Sequence, residues 1–313
     1  MNNPFIYSFD NKRYHTFNYY LKNRFKNKAS KISLDAYFTC PNRDGKLSNL
    51  GCIFCSKVGS GDYTKRDLPD LKLQYDSYKV MMDRKWPNAY TIPYFQAFTN
   101  TYGPLSKIQK MIEPFIELDE VCAIAIATRA DCLEDDKITY LDSLCDKKEI
   151  WVELGLQSSN DNTARYINRA HNFKTFTDCL KRLENTRIKV AIHIMNGLPF
   201  EDEKMMLQTI KDIAKYQYHA LKIHMLYVID DTILGDIYLK KPFKVLSKEE
   251  YIDITIKQLE LLRPEIIIQR ITGDPVKEDL IEPKWLVNKT ALLNDIDKEM
   301  AKRDTYQGKY MVY

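Results

Sequence analysis

The sequence predicts an α/β fold, an open, partial (βα)6 TIM-like barrel, and three observations predict it. Six short β-rich runs alternate with amphipathic stretches of helical period. The runs carry aliphatic side chains on one face and small or polar ones on the other. Six units also fall short of the eight that close a full barrel. Alternation of this kind builds a parallel sheet, because each parallel return needs a crossover.

In chain order, residues 1–31 form a basic aromatic arm. From Lys12 to Lys31 there are seven Lys or Arg and no acid, interleaved with Tyr14, Phe17, Tyr19, Tyr20 and Phe25. Basic groups neutralise phosphates and aromatic faces stack on bases, so Arg13, Lys22, Arg24 and Lys26 are candidate nucleic-acid contacts. A helix whose aromatics pack on the main domain fits the same residues equally well.

The core is expected over 32–245, with strands at 32–38, 90–97, 121–128, 149–157, 188–195 and 221–228, and helices such as 104–117 and 201–216. In the fourth strand Ile150, Val152, Leu154 and Leu156 share one face, and Trp151, Glu153, Gly155 and Gln157 the other. Ala123, Ala125 and Ala127 oppose Ile124 and Ile126, and His193 and Met195 oppose Ile192 and Ile194. A doubly wound sheet fits the alternation alone. The small and polar inner faces favour a barrel with room for a ligand, since buried Glu153 and Gln157 need partners. Residues 246–313 form an extension, with helices at 247–263 and 287–302 and a β-like IIIQRI at 266–271.

Composition narrows the function classes. The chain is 44% hydrophobic and 29% charged, with a net charge of +4, which is ordinary globular composition. No apolar run approaches the ~20 residues of a membrane helix, and Asp10 and Lys12 interrupt any signal-like core. Seven cysteines are not spaced as a disulfide framework, so a cytoplasmic protein with reduced thiols and no membrane partner is expected.

Three cysteines stand apart. Cys40, Cys52 and Cys55 lie in one turn-rich loop after the first strand, spaced C-x11-C-x2-C. The carboxyl end of a parallel strand is where α/β folds place their chemistry. Three thiolates can hold three irons of a [4Fe–4S] cluster and leave the fourth open. Structural zinc is the competing metal, but it wants four ligands and usually a second paired motif. Cys122 falls in an expected strand, and the isolated Cys132, Cys145 and Cys179 read as ordinary buried thiols.

The segments FTCPNRDG (38–45), GCIFC (51–55), FQAFTNTYGP (95–104), TRADCL (128–133), ELGLQS (153–158), INRAHN (167–172), NGLPFED (196–202) and RDTYQGK (303–309) resemble the radical S-adenosylmethionine (SAM) superfamily. Within it they resemble the YtqA/YhcC-type subgroup related to the elongator catalytic subunit. The long first cysteine interval departs from the superfamily's commonest CxxxCxxC and agrees with this subgroup. QAFTNT (96–101) stands where the superfamily has a glycine-rich turn.

The resemblance implies that a [4Fe–4S] cluster on Cys40, Cys52 and Cys55 cleaves SAM to a 5′-deoxyadenosyl radical. It implies Phe54 beside the adenine, Glu153 and Gln157 on SAM's polar groups, Arg169 on its carboxylate, and Thr99 and Asn100 near its amino group. His193 and Lys222 are candidates to face the substrate. The implied substrate is tRNA, with a carboxymethylaminomethyl group on the wobble uridine shortened to aminomethyl. The implied partners are a low-potential electron donor and a methyltransferase acting downstream on the same uridine. A radical SAM enzyme for a peptide or small metabolite, and a non-enzymatic metal-bearing RNA-binding module, are the alternative classes.

Overall fold

A computed structural model describes residues 3–59, 61 and 64–311. Its strands are β1 (Ala29–Leu34), β2 (Tyr90–Phe95), β3 (Ala123–Thr128), β4 (Glu149–Gln157), β5 (Lys189–Asn196), β6 (Ala220–Met225), β7 (Val228–Ile229), β8 (Ile267–Arg270) and β9 (Leu280–Glu282). Seven of them form one curled parallel sheet in the order β1-β2-β3-β4-β5-β6-β8. The short β7 pairs antiparallel with β9. The helices are α1 (Phe17–Phe25), α2 (Leu71–Lys85), α3 (Leu105–Ile116), α4 (Asp135–Ser143), α5 (Asp161–Tyr166), α6 (Phe173–Leu183), α7 (Glu203–Ile213), α8 (Ile233–Lys240), α9 (Lys248–Leu261) and α10 (Lys289–Lys302).

The sheet sorts its side chains as the alternation predicts. Ile124, Ile126, Ile150, Val152, Leu154, Ile192, Ile194, Leu221 and Ile223 join the outer core beneath the helices. Ala123, Ala125, Trp151, Ala191 and Ala220 join a separate inner cluster. The inner cluster gathers residues from the amino ends of the strands, and α1 plugs it. Leu21 is buried there, Phe17 and Tyr20 pack against it, and both rings meet the fully buried Trp151 edge-on. The Thr16 hydroxyl accepts from the Tyr19 amide to start α1, and Lys26, with φ 55°, stops it in the left-handed region.

Three boundaries differ from the expected ones. The first strand begins at Ala29, so a division at 31/32 falls inside it. It ends at Leu34 because the Asp35 carboxylate accepts from the Tyr37 amide, and the Gln74 amide group bonds both backbone polar groups of Asp35. That satisfies the chain locally and turns it out of the ladder. The β-like segment near 266–271 is a seventh strand of the barrel, with Ile267 beside Ala220 of β6.

The arm and the extension are knit together. Arg13 is buried and its guanidinium donates to Asp304 at 2.8 Å. The Gln307 side chain accepts from the His15 amide and donates to the carbonyls of Arg263 and Ile266. RDTYQGK is thus the seam that holds the arm, and Arg13 is withdrawn from the candidate nucleic-acid contacts because its charge faces Asp304 and not solvent. Phe17, Tyr20 and Phe25 pack on the inner cluster and Tyr14 joins the outer core, whereas Tyr19 packs on Tyr7, Phe9 and His15 of the arm itself. Lys22, Arg24 and Lys26 remain exposed, Arg24 while paired with Glu149. Among the described residues no helix is long and apolar enough to cross a membrane.

Candidate active site at the open end of the barrel

At the carboxyl ends of the strands the inner layer stops and a cavity of about 310 Å³ opens. Its lining includes Cys40, Cys52 and Cys55, and with them Phe54, Thr99, Glu153, Gln157, Arg169, His193 and Lys222. The side chains that the sequence assigns to the cluster, to SAM or to substrate therefore meet around one space, with Asn100 as the exception. Asn100 is fully buried, and its amide donates to the carbonyls of Phe95, Ala97 and Ala127. Its Nδ2 thereby fixes the turn after β2, while its Oδ1 is buried without a hydrogen-bond partner, so its contact with SAM's amino group stays a proposal.

The cysteine loop is held from inside and from the next layer. The Cys40 carbonyl accepts from the amides of Arg43 and Asp44, and the Cys52 carbonyl from the Cys55 amide. Arg43 donates to the Cys55 carbonyl at 2.7 Å. Gly51 sits at φ 74°, and a Cβ there would lie 2.6 Å from the Arg43 side chain. Across the loop Asn168 donates to the Gly51 carbonyl at 2.7 Å, and Asn42 to the Asn168 carbonyl at 2.6 Å. Burial pushes the Cys55 thiol up to about 12, against the opposing pull of Arg43. The thiol stays protonated at neutral pH until a metal takes the proton's place.

Arg169 reaches the same place from the segment after α5. It donates to the Gly155 carbonyl at 2.5 Å and lies 3.8 Å from the Cys52 sulfur. Gly155 makes this approach possible, since a Cβ there would stand 2.8 Å from the Arg169 guanidinium. The register of β4 against β5 shifts between Gly155 and Gln157, and Gln157 takes φ 76°. Phe98, Asn168 and Ala170 also have positive φ around the rim. Conformations of this kind cost about 1–3 kcal/mol each and gather at functional sites.

Glu153 is placed in the cavity but not as expected. Its carboxylate, wholly buried, accepts from Lys31, from Lys222 and, at 3.0 Å, from His193 Nε2. It is committed to those three donors, so the assignment of Glu153 to SAM's polar groups is withdrawn. Burial alone would raise its pKa, but Lys222, Lys31 and His193 outweigh burial and hold it well below the carboxylate range.

Other residues of the site are given no role by the sequence. Arg129 is buried beside the cysteines and grips Asp131 with two bonds of 2.9 and 2.8 Å. It belongs to TRADCL, a segment whose resemblance assigns its arginine no task. Lys31 counts as part of the basic arm in the sequence, yet its ammonium lies inside the barrel. His224 and Arg270 line the cavity from β6 and β8.

The donor set fits an iron–sulfur cluster with SAM. Asn42 Oδ1, Arg129 Nη1, Gln157 Oε1 and Arg169 Nε are buried with no hydrogen-bond partner, a combination that a polar ligand resolves. Among the described residues no three His, Cys, Asp or Glu side chains converge on a single metal ion. A cubane spreads its thiolates over separate irons and asks for a wider arrangement.

Comparison with known proteins defines the class: the chain belongs to the radical SAM superfamily, whose family model matches residues 46–213, followed by a Radical SAM C-terminal domain over 218–302. Its cofactors are accordingly a [4Fe–4S] cluster and SAM. It is 44% identical over 309 residues to the uncharacterized protein YtqA of Bacillus subtilis strain 168, covering 99% of this chain and 96% of that one. It is 26% identical over 155 residues to the tRNA uridine(34) acetyltransferase of Methanocaldococcus infernus, covering 49% of this chain and 28% of that protein. The solved structure of an N-terminally deleted Elp3 from the same archaeon shares the fold, with a TM-score of 0.66 at 16% identity. That match covers 90% of this chain and 64% of the other.

Proposed function

We propose that this radical SAM enzyme modifies the wobble uridine of tRNA, shortening a carboxymethylaminomethyl group to aminomethyl. The observation that carries the reading is the meeting of the cysteine loop with the unpartnered buried atoms of Arg169 and Gln157 in one cavity. In this reading Cys40, Cys52 and Cys55 hold the cluster, with Asn42 and Arg169 beside the Cys52 sulfur. Arg169 offers its fork to SAM's carboxylate. Gln157 offers its free oxygen to the ribose, Thr99 flanks the amino group, and Phe54 lies against the adenine. When bound, the cluster and SAM together supply one-electron chemistry that removes hydrogen from an unactivated carbon. The protein holds that carbon and excludes water.

The tRNA substrate is supported by the partial likeness to an enzyme named for tRNA uridine 34. Mass spectrometry of tRNA nucleosides from cells with and without this protein tests it. Loss of the protein is expected to raise carboxymethylaminomethyluridine and deplete the aminomethyl forms. Identical nucleoside profiles would sink the tRNA reading and leave a radical SAM enzyme for another substrate.

A further inference from the structure

Beneath the cysteine loop the barrel does not fill its interior with apolar side chains, as its amino end does. It holds Lys31 and Lys222 on the single carboxylate of Glu153, with the Tyr94 ring 4.6 Å from both ammonium groups. Lys222 also donates to the Tyr94 hydroxyl at 3.2 Å. Arg270, from the neighbouring strand, is 3.9 Å from Asp274, and Asp274 is itself engaged by Lys289 at 3.1 Å. Lys31 and Lys222, both inside the barrel, thus share the one wholly buried carboxylate of Glu153, while Arg270, about a third exposed, shares Asp274 with Lys289.

The histidines do not change this balance. His193 donates to Glu153, and burial with the Lys222 charge pushes its pKa down to about 4, so it is neutral. The His224 ring is 5.2 Å from the His193 ring, and its Nε2 is buried without a partner. Buried charge that lacks a full counter-charge is costly, and burial pulls the pKa values of Lys222 and Lys31 down against the opposing pull of Glu153. An excess of one positive charge beside an unpartnered ring nitrogen is what a monoanion neutralises.

We infer that Lys222, Arg270 and His224 form a subsite for a carboxylate at the end of a short substrate substituent. Glu153 holds the two ammonium groups in place, and the subsite sits in the same cavity as the cysteines, so a carbon next to the carboxylate lies towards them. This deepens the proposed function and rests on it for the identity of the substrate. It stands apart from it in naming the charge and the residues.

The test is calorimetric binding to reconstituted, SAM-loaded, unreduced protein, where no turnover occurs. The probes are anticodon stem–loops bearing carboxymethylaminomethyluridine or aminomethyluridine, and N-benzylglycine, a carboxylate without a uridine. The carboxylate-bearing stem–loop is expected to bind at least tenfold more tightly than its aminomethyl counterpart. Lys222→Met and Arg270→Gln should each remove most of that difference while leaving the aminomethyl affinity in place. If Lys222→Met fails to fold, the wild-type ratio and Arg270→Gln decide. Equal affinity for the two stem–loops, together with no binding of N-benzylglycine, overturns the subsite. Binding of N-benzylglycine that depends on Arg270, without discrimination between stem–loops, keeps the subsite and rejects the uridine.

Discussion

His193 and Glu153 show how one residue's chemistry is set by neighbours from distant strands. An unfolded histidine titrates near 6.5, whereas burial and the Lys222 ammonium bring His193 down to about 4. The unfolded chain therefore binds more protons between those values, and the group withdraws stability as pH falls from about 6.5 towards 4. In carbon-detected NMR of the imidazole, His193 should stay neutral from about pH 8 to 5.5. Lys222→Met removes a repelling charge and should raise its midpoint; an unchanged midpoint contradicts the network. Arg169 makes the second residue-scale prediction. Arg169→Ala should weaken SAM binding by roughly 2–5 kcal/mol, the penalty expected when one partner of a desolvated charge pair is removed. Arg169→Lys should restore only part of it, because the planar fork is missing. Normal SAM affinity in Arg169→Ala rules out the carboxylate role.

At the scale of elements, β4 and the cysteine loop divide the work. Gly155 lies within β4 under the Arg169 guanidinium. Gly155→Ala should lower SAM affinity, in the same direction as Arg169→Ala, while the melting temperature moves little, since the clashing atom ends a flexible side chain. A variant that melts early and binds SAM normally would contradict that. For the loop, anaerobic reconstitution should yield about four irons per chain. Cys40→Ala, Cys52→Ala and Cys55→Ala should each abolish cluster binding, and Cys145→Ala, just beyond α4 and outside the cavity lining, should keep it. The faces of β4 were legible because strand alternation is local and strict. The shift at Gly155 and Gln157 was not, because a bulge depends on what the neighbouring strand and Arg169 require. Asn100 was half legible for a related reason: its Nδ2 serves the backbone of the turn, and its Oδ1 is left without a partner.

For the whole molecule, the arm shows what a linear charge pattern hides. Its charge run reads as one basic surface, yet Lys12, Arg13, Arg24 and Lys31 pair with Asp297, Asp304, Glu149 and Glu153. Those partners lie far along the chain, and no local pattern announces them. The helix that results closes the amino end of the barrel, so Trp151→Ala should cost about 3–5 kcal/mol of stability, as for other buried aromatics, measured by thermal or denaturant unfolding. Replacing Lys22, Arg24 and Lys26 together by Ala should reduce the log–log salt slope of tRNA binding by roughly 0.7–0.9 for each phosphate no longer neutralised. An unaltered slope assigns α1 to packing alone.

We propose that this cavity brings a carbon beside a carboxylate into reach of SAM. Reduced, reconstituted protein can be given tRNA whose wobble uridine carries deuterium on the methylene next to the carboxylate. Deuterium is then expected in the 5′-deoxyadenosine formed, together with aminomethyluridine in the tRNA. Turnover that leaves 5′-deoxyadenosine free of deuterium contradicts the claim.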